Sequence, residues 1–118
     1  MSWKVKSFEE LLIWQKGQDL AVMTYDAYRD NRDWGFKDQI CRASVSVSNN
    51  IAEGFGRKSS VEFARFLDIS RASVNEVRSM SYLGFRLGYI DENQRIQFLS
   101  ATEEISKMTY AFMQSLNK

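Results

Sequence analysis

The sequence predicts an all-α protein: one domain over residues 1–118, folded as an antiparallel up-down four-helix bundle. Apolar residues recur with the period of a helix, and none of the runs alternates with the period of a strand. Capping signals divide the chain into four segments, and no proline interrupts them. The links are only about three to five residues long, so consecutive helices should lie antiparallel.

Each predicted helix begins at a polar residue that can bond the free N–H groups of the first turn. These residues are Ser7 (with Glu10), Asp33, Ser59 (with Glu62) and Asp91. Glycines at positions 54, 56 and 88 should close the second and third helices in the left-handed conformation. The predicted helices cover residues 7–30, 34–55, 60–87 and 92–116.

The last three helices each carry one apolar stripe, which should face the core. The stripes are Phe36, Ile40, Ala43, Val47, Ile51 and Gly54; Phe63, Leu67, Ser70, Val74, Val77, Ser81 and Gly84; and Phe98, Ala101, Ile105, Met108, Phe112 and Leu116.

The first helix is apolar over most of its circumference. A helix of this kind is usually buried on more than one side, so we expect it to contact another subunit. Trp14, Tyr25 and Tyr28 are the aromatic types enriched at interfaces and are the predicted interface residues. The alternative is that its aromatics lie half-exposed at the edge of the bundle.

Composition argues against an enzyme. The chain has no histidine, which is the commonest general base and metal ligand, and its single cysteine excludes a cysteine-cluster zinc site. Lys37 and Arg42 could lower the pKa of the Cys41 thiol, but no histidine is present to act as its base. The Gly54–Ser59 segment lacks the glycine spacing of a phosphate loop. We therefore expect no cofactor, no metal and no catalytic residue.

The remaining signals favour the cytoplasm. A lone thiol suits a reducing compartment, and no signal-peptide pattern follows residues 1–6. The net charge of +1, from 16 basic and 15 acidic residues, is not that of a dedicated nucleic-acid binder. Any contact with phosphate would come from a local patch or from a surface built by oligomerisation.

The most specific motif lies in the second helix. It contains Gln39-Ile40-Cys41-Arg42-Ala43-Ser44 and Asn50-Ile51-Ala52-Glu53-Gly54, flanked by Leu12-Ile13-Trp14-Gln15-Lys16, by residues 63–73 and by Leu87-Gly88-Tyr89-Ile90. This pattern resembles the 23S rRNA intervening-sequence protein family over nearly the whole chain. The resemblance implies a small bacterial four-helix bundle that forms homopentamers. It also implies kinship with an accessory factor of diversity-generating retroelements, which binds a reverse transcriptase and nucleic acid.

The chain departs from the family pattern at three positions. Cys41 replaces the first of two arginines, Ser48 stands where proline is frequent, and Asn49 stands where serine is usual. The lost arginine weakens the inference that this helix clamps phosphate.

A polar face runs along the second helix. Its residues, with those of the family motif, are Asp38, Arg42, Ser46, Asn49, Asn50, Glu53 and Gly54. Arg42 and Glu53 lie about three turns, or ~16 Å, apart, so each should pair with another helix or another subunit. The face is either a recognition strip or a polar network that fixes the register of the helices.

The main basic cluster follows the second helix. It consists of Arg57, Lys58, Arg65, Arg71, Arg78 and Arg86. Arg71, Arg78 and Arg86 repeat at about two turns and are expected on the outer face of the third helix. Acidic residues are interspersed, so the cluster is either a phosphate-binding strip or a solvated, ion-paired surface.

Two functions remain open. The first is a non-catalytic homo-oligomeric adapter, with a pentamer as the expected form, that associates with RNA, DNA or a ribonucleoprotein. The second is a structural or protein-interaction module with no nucleic-acid role. The resemblance and the basic cluster favour the first, whereas the near-neutral charge favours the second.

Overall fold

The computed structural model describes residues 5–116. A 3₁₀ turn, Phe8–Glu10, precedes four α-helices: α1 Leu12–Ala27, α2 Trp34–Phe55, α3 Ser60–Arg86 and α4 Glu92–Leu116. No strand occurs between residues 5 and 116. The predicted all-α class is therefore confirmed. Residues 1–4, within the stretch used for the signal-peptide prediction, and residues 117–118 lie outside the described part.

Neighbouring helices run antiparallel. Ser70 of α3 bonds the Val47 carbonyl of α2, whereas Glu76, further along α3, bonds Gln39, earlier on α2. Links of six, four and five residues join the helices, and α4 returns to contact α1. Within the described chain no Cα atom of α1 lies within 8 Å of a Cα atom of α3, so these two helices occupy opposite corners. The result is an up-down four-helix bundle of 47 × 21 × 20 Å.

Most of the predicted helix ends are confirmed. Asp33, Ser59 and Asp91 each accept a hydrogen bond from the backbone N–H three residues further on, at 3.2, 3.2 and 2.8 Å. Gly88, with a φ of 77°, follows α3 in the left-handed conformation. Its conformation lets the next N–H bond back to the carbonyl of residue 84 at 2.8 Å, which satisfies the end of the helix.

The predicted bounds of the first helix and the predicted conformation of Gly56 are wrong, although α2 ends at Phe55 as predicted. The first helix is shorter than residues 7–30, because Ser7 opens only the 3₁₀ turn and Leu11 then adopts an extended conformation that buries its side chain. Gly56 is right-handed, with a φ of −77°, because the N–H of Arg57 continues the turn by bonding the Gly54 carbonyl at 3.0 Å.

The core lies where the predicted stripes of α2 and α3 meet the other helices. Ile40, Val47, Ile51, Leu67 and Val74 have no solvent exposure. Burying one such side chain contributes roughly 1.5–3 kcal/mol, so these stripes are the main source of stability.

Tyr28, predicted at a subunit interface, belongs instead to the core. Its side chain is 0% exposed, and its ring centroid lies 5.6 Å from that of Phe36 and 6.4 Å from that of Phe98. Its hydroxyl fits against Gly84, where a Cβ would collide with it. The residue type alone did not indicate that Tyr28 is buried, because the space for its hydroxyl group is created by Gly84 on α3.

Candidate interaction surfaces

Three of the predicted phosphate-binding residues lie near the point where α2 ends and α3 begins: Arg57, Lys58 and Arg65. We call them the basic corner. The Arg57 guanidinium lies 4.7 Å from the ring centroid of Phe66 and 3.1 Å from the Glu53 carboxylate. Arg57 and Arg65 line one shallow hollow of about 220 Å³ together with Glu62, whereas Lys58 lines a different hollow beside Arg57. Lys58 and Arg65 are exposed and have no acidic partner among residues 5–116. Two of the three cations are thus free to meet an external anion.

Two further predicted residues serve the packing of α3 against α4. Arg78 donates to the Leu99 carbonyl at 2.9 Å and to the Thr102 hydroxyl at 3.2 Å. The Arg71 guanidinium lies 5.0 Å from the ring centroid of Tyr110, and its Nε is buried without a hydrogen-bond partner in the described chain. Both cations are half-buried and engaged within the bundle.

The predicted outer strip of Arg71, Arg78 and Arg86 is therefore wrong. Arg71 and Arg78 do share a face, but it is the flank of α3 that meets α4. Arg86 is exposed in the last turn of this 27-residue helix, about 40 Å long, and so lies far from the basic corner. The six basic residues form no continuous strip.

The polar face of α2 is paired locally. Arg42 bonds Asp38 at 2.8 Å, and Glu53 bonds Arg57 at 3.1 Å, each four residues away. The expectation that Arg42 and Glu53 pair with another helix or subunit is therefore wrong, because each has an oppositely charged neighbour one turn along the chain. Asn49 is exposed between them.

The other motif residues face α3. Asn50 donates to the carbonyl and the hydroxyl of Ser46, both at 2.8 Å, and Ser73 of α3 donates to the same hydroxyl at 2.9 Å. A Cβ at Gly54 would lie 2.7 Å from the Cβ of Phe66, so only glycine allows this approach of α2 and α3. For these residues the geometry favours the network that fixes helix register.

An apolar groove lies on the outer side of α1 and α2. Val22 and Tyr25 of α1 are 61% and 48% exposed, and they border a depression of about 350 Å³. We call this depression the α1–α2 groove. Its lining residues are Gln18, Ala21, Val22, Tyr25, Asp26, Arg29, Val45 and Ser48.

Two other aromatics of α1 and α2 lie outside the groove lining, and Trp14 agrees with the alternative that the aromatics of the first helix lie half-exposed at the edge of the bundle. Trp14 is half-buried and packs edge-to-face on Phe8, with ring centroids 5.3 Å apart. Trp34, which the sequence interpretation treated only as the start of a helix, is 67% exposed. Lys37 connects it to the link between α1 and α2, since its Nζ lies 5.3 Å from the centroid of the Trp34 ring and 2.8 Å from the Arg29 carbonyl oxygen. The position of Trp34 off the apolar stripe of α2 was the signal available in the sequence.

Three exposed aliphatic side chains lie along α3, with exposed Glu76 on the same face between the first two, seven residues from each. Ile69, Leu83 and Leu87 are 48%, 46% and 49% exposed. Separations of 14 and 18 residues from Ile69 are close to four and five whole turns, so the three side chains share one face. We call them the α3 strip.

The pKa shifts of cysteine and tyrosine side chains that are resolved within residues 5–116 are all upward, which does not activate a nucleophile. Burial raises the pKa of the Cys41 thiol and outweighs the smaller lowering by Lys37, so the predicted lowering is wrong. Burial also raises the pKa of Tyr28 to about 12. A 2.6 Å hydrogen bond from the Tyr89 hydroxyl, with that from the Phe36 N–H, lowers the pKa of Asp33.

Two other kinds of site were sought in residues 5–116. No cluster of three or more acidic, cysteine or histidine side chains is arranged there to hold a metal ion. None of the helices in that range has the length and apolarity needed to cross a membrane.

Known proteins share the fold and the sequence pattern of this chain. No curated protein matches it. A protein of unknown function from the S23 ribosomal protein family of Bacteroides thetaiotaomicron VPI-5482 has a similar structure, with a TM-score of 0.82 and 24% identity; the match covers 86% of this chain and 98% of that one. That likeness shows the shared fold. A family model for the 23S rRNA-intervening sequence protein matches residues 9–111. The chain therefore belongs to the 23S rRNA-intervening sequence protein family.

Proposed function

We propose that this protein is a non-catalytic adapter that self-associates into a ring, a pentamer being the expected form, and binds RNA, DNA or a ribonucleoprotein through the basic corner. The observation that carries the binding role is the free charge of Lys58 and Arg65 beside Arg57. Phosphate contacts supply most of non-specific nucleic-acid affinity. Few cations per chain suffice if several subunits bind together.

Self-association is supported by the apolar surface that one chain leaves exposed. The α1–α2 groove and the α3 strip expose aliphatic and aromatic side chains to about half of their area. Extended exposed apolar patches mark interaction sites in soluble proteins. Light scattering should give several times the 13.7 kDa subunit mass, five times for the pentamer. A mass of one subunit at micromolar concentration would overturn the ring.

Nucleic-acid binding is tested by fluorescence anisotropy with labelled single-stranded RNA and duplex DNA at low salt. Replacing Arg57, Lys58 and Arg65 by glutamine should weaken binding at least about tenfold, because up to three phosphate contacts are lost.

The matched control removes three cations that already have acidic partners and lie outside the α1–α2 groove: Lys16, Arg42 and Lys107, each replaced by glutamine. The control has the same change in charge and should lose much less affinity. Equal losses in the two variants would show that only net charge matters and would reject the basic corner as the site.

A second function, a protein-interaction module without nucleic acid, is favoured by one observation. Arg71 and Arg78 are half-buried in contacts with α4, so they add little to the exposed positive charge. The exposed charges of the two signs are then nearly balanced. If the wild-type protein forms the oligomer but binds neither RNA nor DNA at low salt, this function replaces the first.

A further inference from the structure

The hollow between Arg57 and Arg65 has apolar and charged walls. Its other lining residues are Glu62, Phe66 and Ile69, which share one face of α3 because they are four and three residues apart. We call it the Phe66 hollow. Its volume of about 220 Å³ is below the ~300–1,000 Å³ of pockets for drug-sized ligands, so it fits one small planar group and not a whole nucleotide.

One wall of the Phe66 hollow is a guanidinium that two contacts hold in place. The Arg57 guanidinium lies 4.7 Å from the ring centroid of Phe66 and 3.1 Å from the Glu53 carboxylate, and its side chain is still 41% exposed. Unpaired nucleic-acid bases stack on aromatic rings and on guanidinium planes. The hollow therefore has a surface on which a base can stack.

The hollow also has two charges that nothing in the described chain neutralises. Glu62 and Arg65 are exposed, and neither has an ion-pair partner among residues 5–116. Glu62 can accept hydrogen bonds from N–H groups, and Arg65 can bind a phosphate. A base edge and the backbone that carries it thus each have a partner of suitable chemistry.

We propose that the Phe66 hollow binds one unpaired guanine of a single-stranded RNA or DNA. The inference rests on the nucleic-acid binding proposed above and names the base and the form of the strand. The Watson–Crick edge of guanine presents two adjacent donors, N1–H and N2–H, which the two oxygens of Glu62 can accept together. The other bases place an acceptor beside their donor, and a carboxylate repels that acceptor. In a duplex the guanine edge is already paired, so it cannot reach Glu62.

Fluorescence anisotropy at low salt tests the base. The probes are a uridine-only RNA strand, the same strand with one guanosine, and the guanosine strand annealed to its complement. The guanosine strand should bind about tenfold more tightly than the uridine strand, as expected for one bidentate contact. Inosine in place of guanosine removes only the N2 amino group and should lose most of this preference. Annealing should abolish it.

Two variants test the walls of the hollow, and each has a matched control on α3. E62Q should abolish the preference for guanosine, because its side-chain amide has only one acceptor oxygen, whereas E76Q removes the same charge outside the hollow and should keep the preference. I69S should reduce the preference, whereas L83S, at a similarly exposed aliphatic position outside the hollow, should not. The readout is the ratio of the affinities for the two strands, so effects on assembly cancel.

Three results would overturn the inference: equal affinity for the guanosine and uridine strands, a preference that persists in the duplex, or equal effects of E62Q and E76Q. In each of these the protein still binds nucleic acid, and the proposed function stands. A wild-type protein that binds none of the probes at low salt overturns the proposed function itself.

Discussion

Replacing Gly84 by alanine adds one methyl group at the point where α3 meets the Tyr28 side chain. The new Cβ would lie inside van der Waals contact of the Tyr28 hydroxyl oxygen, while its next neighbours, Cζ of Phe36 and Cζ of Tyr28, would lie at 3.4 and 3.5 Å. Tyr28 has little freedom to withdraw, because it is fully buried between Phe36 and Phe98. The collision therefore depends almost entirely on one oxygen atom.

The magnitude follows from two opposed effects. Alanine in a helix interior is favoured over glycine by about 1 kcal/mol, whereas overpacking a core costs about 1–3 kcal/mol. G84A should therefore destabilise the protein by about 1 kcal/mol. In a Y28F background the oxygen is absent and the remaining contacts are near ordinary distances, so the same change should stabilise by up to about 1 kcal/mol. Y28F itself should be neutral or stabilising, since the Tyr28 hydroxyl has no hydrogen-bond partner in the described chain.

The assay is a double-mutant cycle by urea unfolding, with every protein at one concentration because assembly adds to apparent stability. The expected coupling between the two positions is about 1–3 kcal/mol. G56A is the control, since a Cβ there meets only the Glu53 carbonyl oxygen at 3.6 Å and should have the same small effect in both backgrounds. A G84A effect of equal size in the wild-type and Y28F backgrounds would refute the reasoning.

Three further outcomes follow from the side-chain geometry. R78A should lower the free energy of unfolding by about 1–2 kcal/mol through its lost bonds to α4, whereas R65A should change it by less than about 0.5 kcal/mol, both measured by denaturant titration. Tyr28 has a pKa of about 12 in the folded protein against 10.0 in the unfolded chain. Its contribution to the free energy of unfolding is therefore complete below pH 10 and should be lost as the pH rises from 10 to 12. Y28F should remove this fall in the free energy of unfolding between pH 10 and pH 12. The pKa of Asp33 is lowered in the folded protein, so its contribution to the free energy of unfolding is present above its unfolded pKa and is lost as the pH falls through its folded pKa. Y89F should raise the folded-state pKa of Asp33 in an NMR titration. An unchanged pKa would contradict the role of the hydrogen bond from Tyr89.

The features that local rules govern were predictable from the sequence. Asp33, Ser59 and Asp91 cap helices because the cap bond joins residues three positions apart, and the chain itself supplies both partners. The stripes of α2 and α3 reached the core because helical period fixes which side chains share a face. The four helices follow from these two rules, and their antiparallel order follows from the short links between them.

The roles of individual side chains were harder to predict, because they depend on partners from other helices. Arg78 and Arg65 look equivalent in the sequence, but only Arg78 has an α4 carbonyl within reach. Tyr28 and Tyr25 lie three residues apart, yet Gly84 admits only Tyr28 to the core. The candidate nucleic-acid-binding site is therefore reduced from six basic residues to the three of the basic corner.

The size of the basic corner predicts how strongly nucleic-acid affinity should depend on salt concentration. A subunit that offers Arg57, Lys58 and Arg65 neutralises at most three phosphates, so log affinity against log salt should have a slope of about −2 for single strands and about −3 for duplex DNA. A ring that engages two subunits at once doubles these slopes, whereas a monomeric form of the protein should retain the single-subunit values. The slope measured by anisotropy therefore counts the subunits in contact with the nucleic acid. A single-subunit slope in the intact ring would reject multivalent binding, and a flat slope would reject phosphate contact at the basic corner.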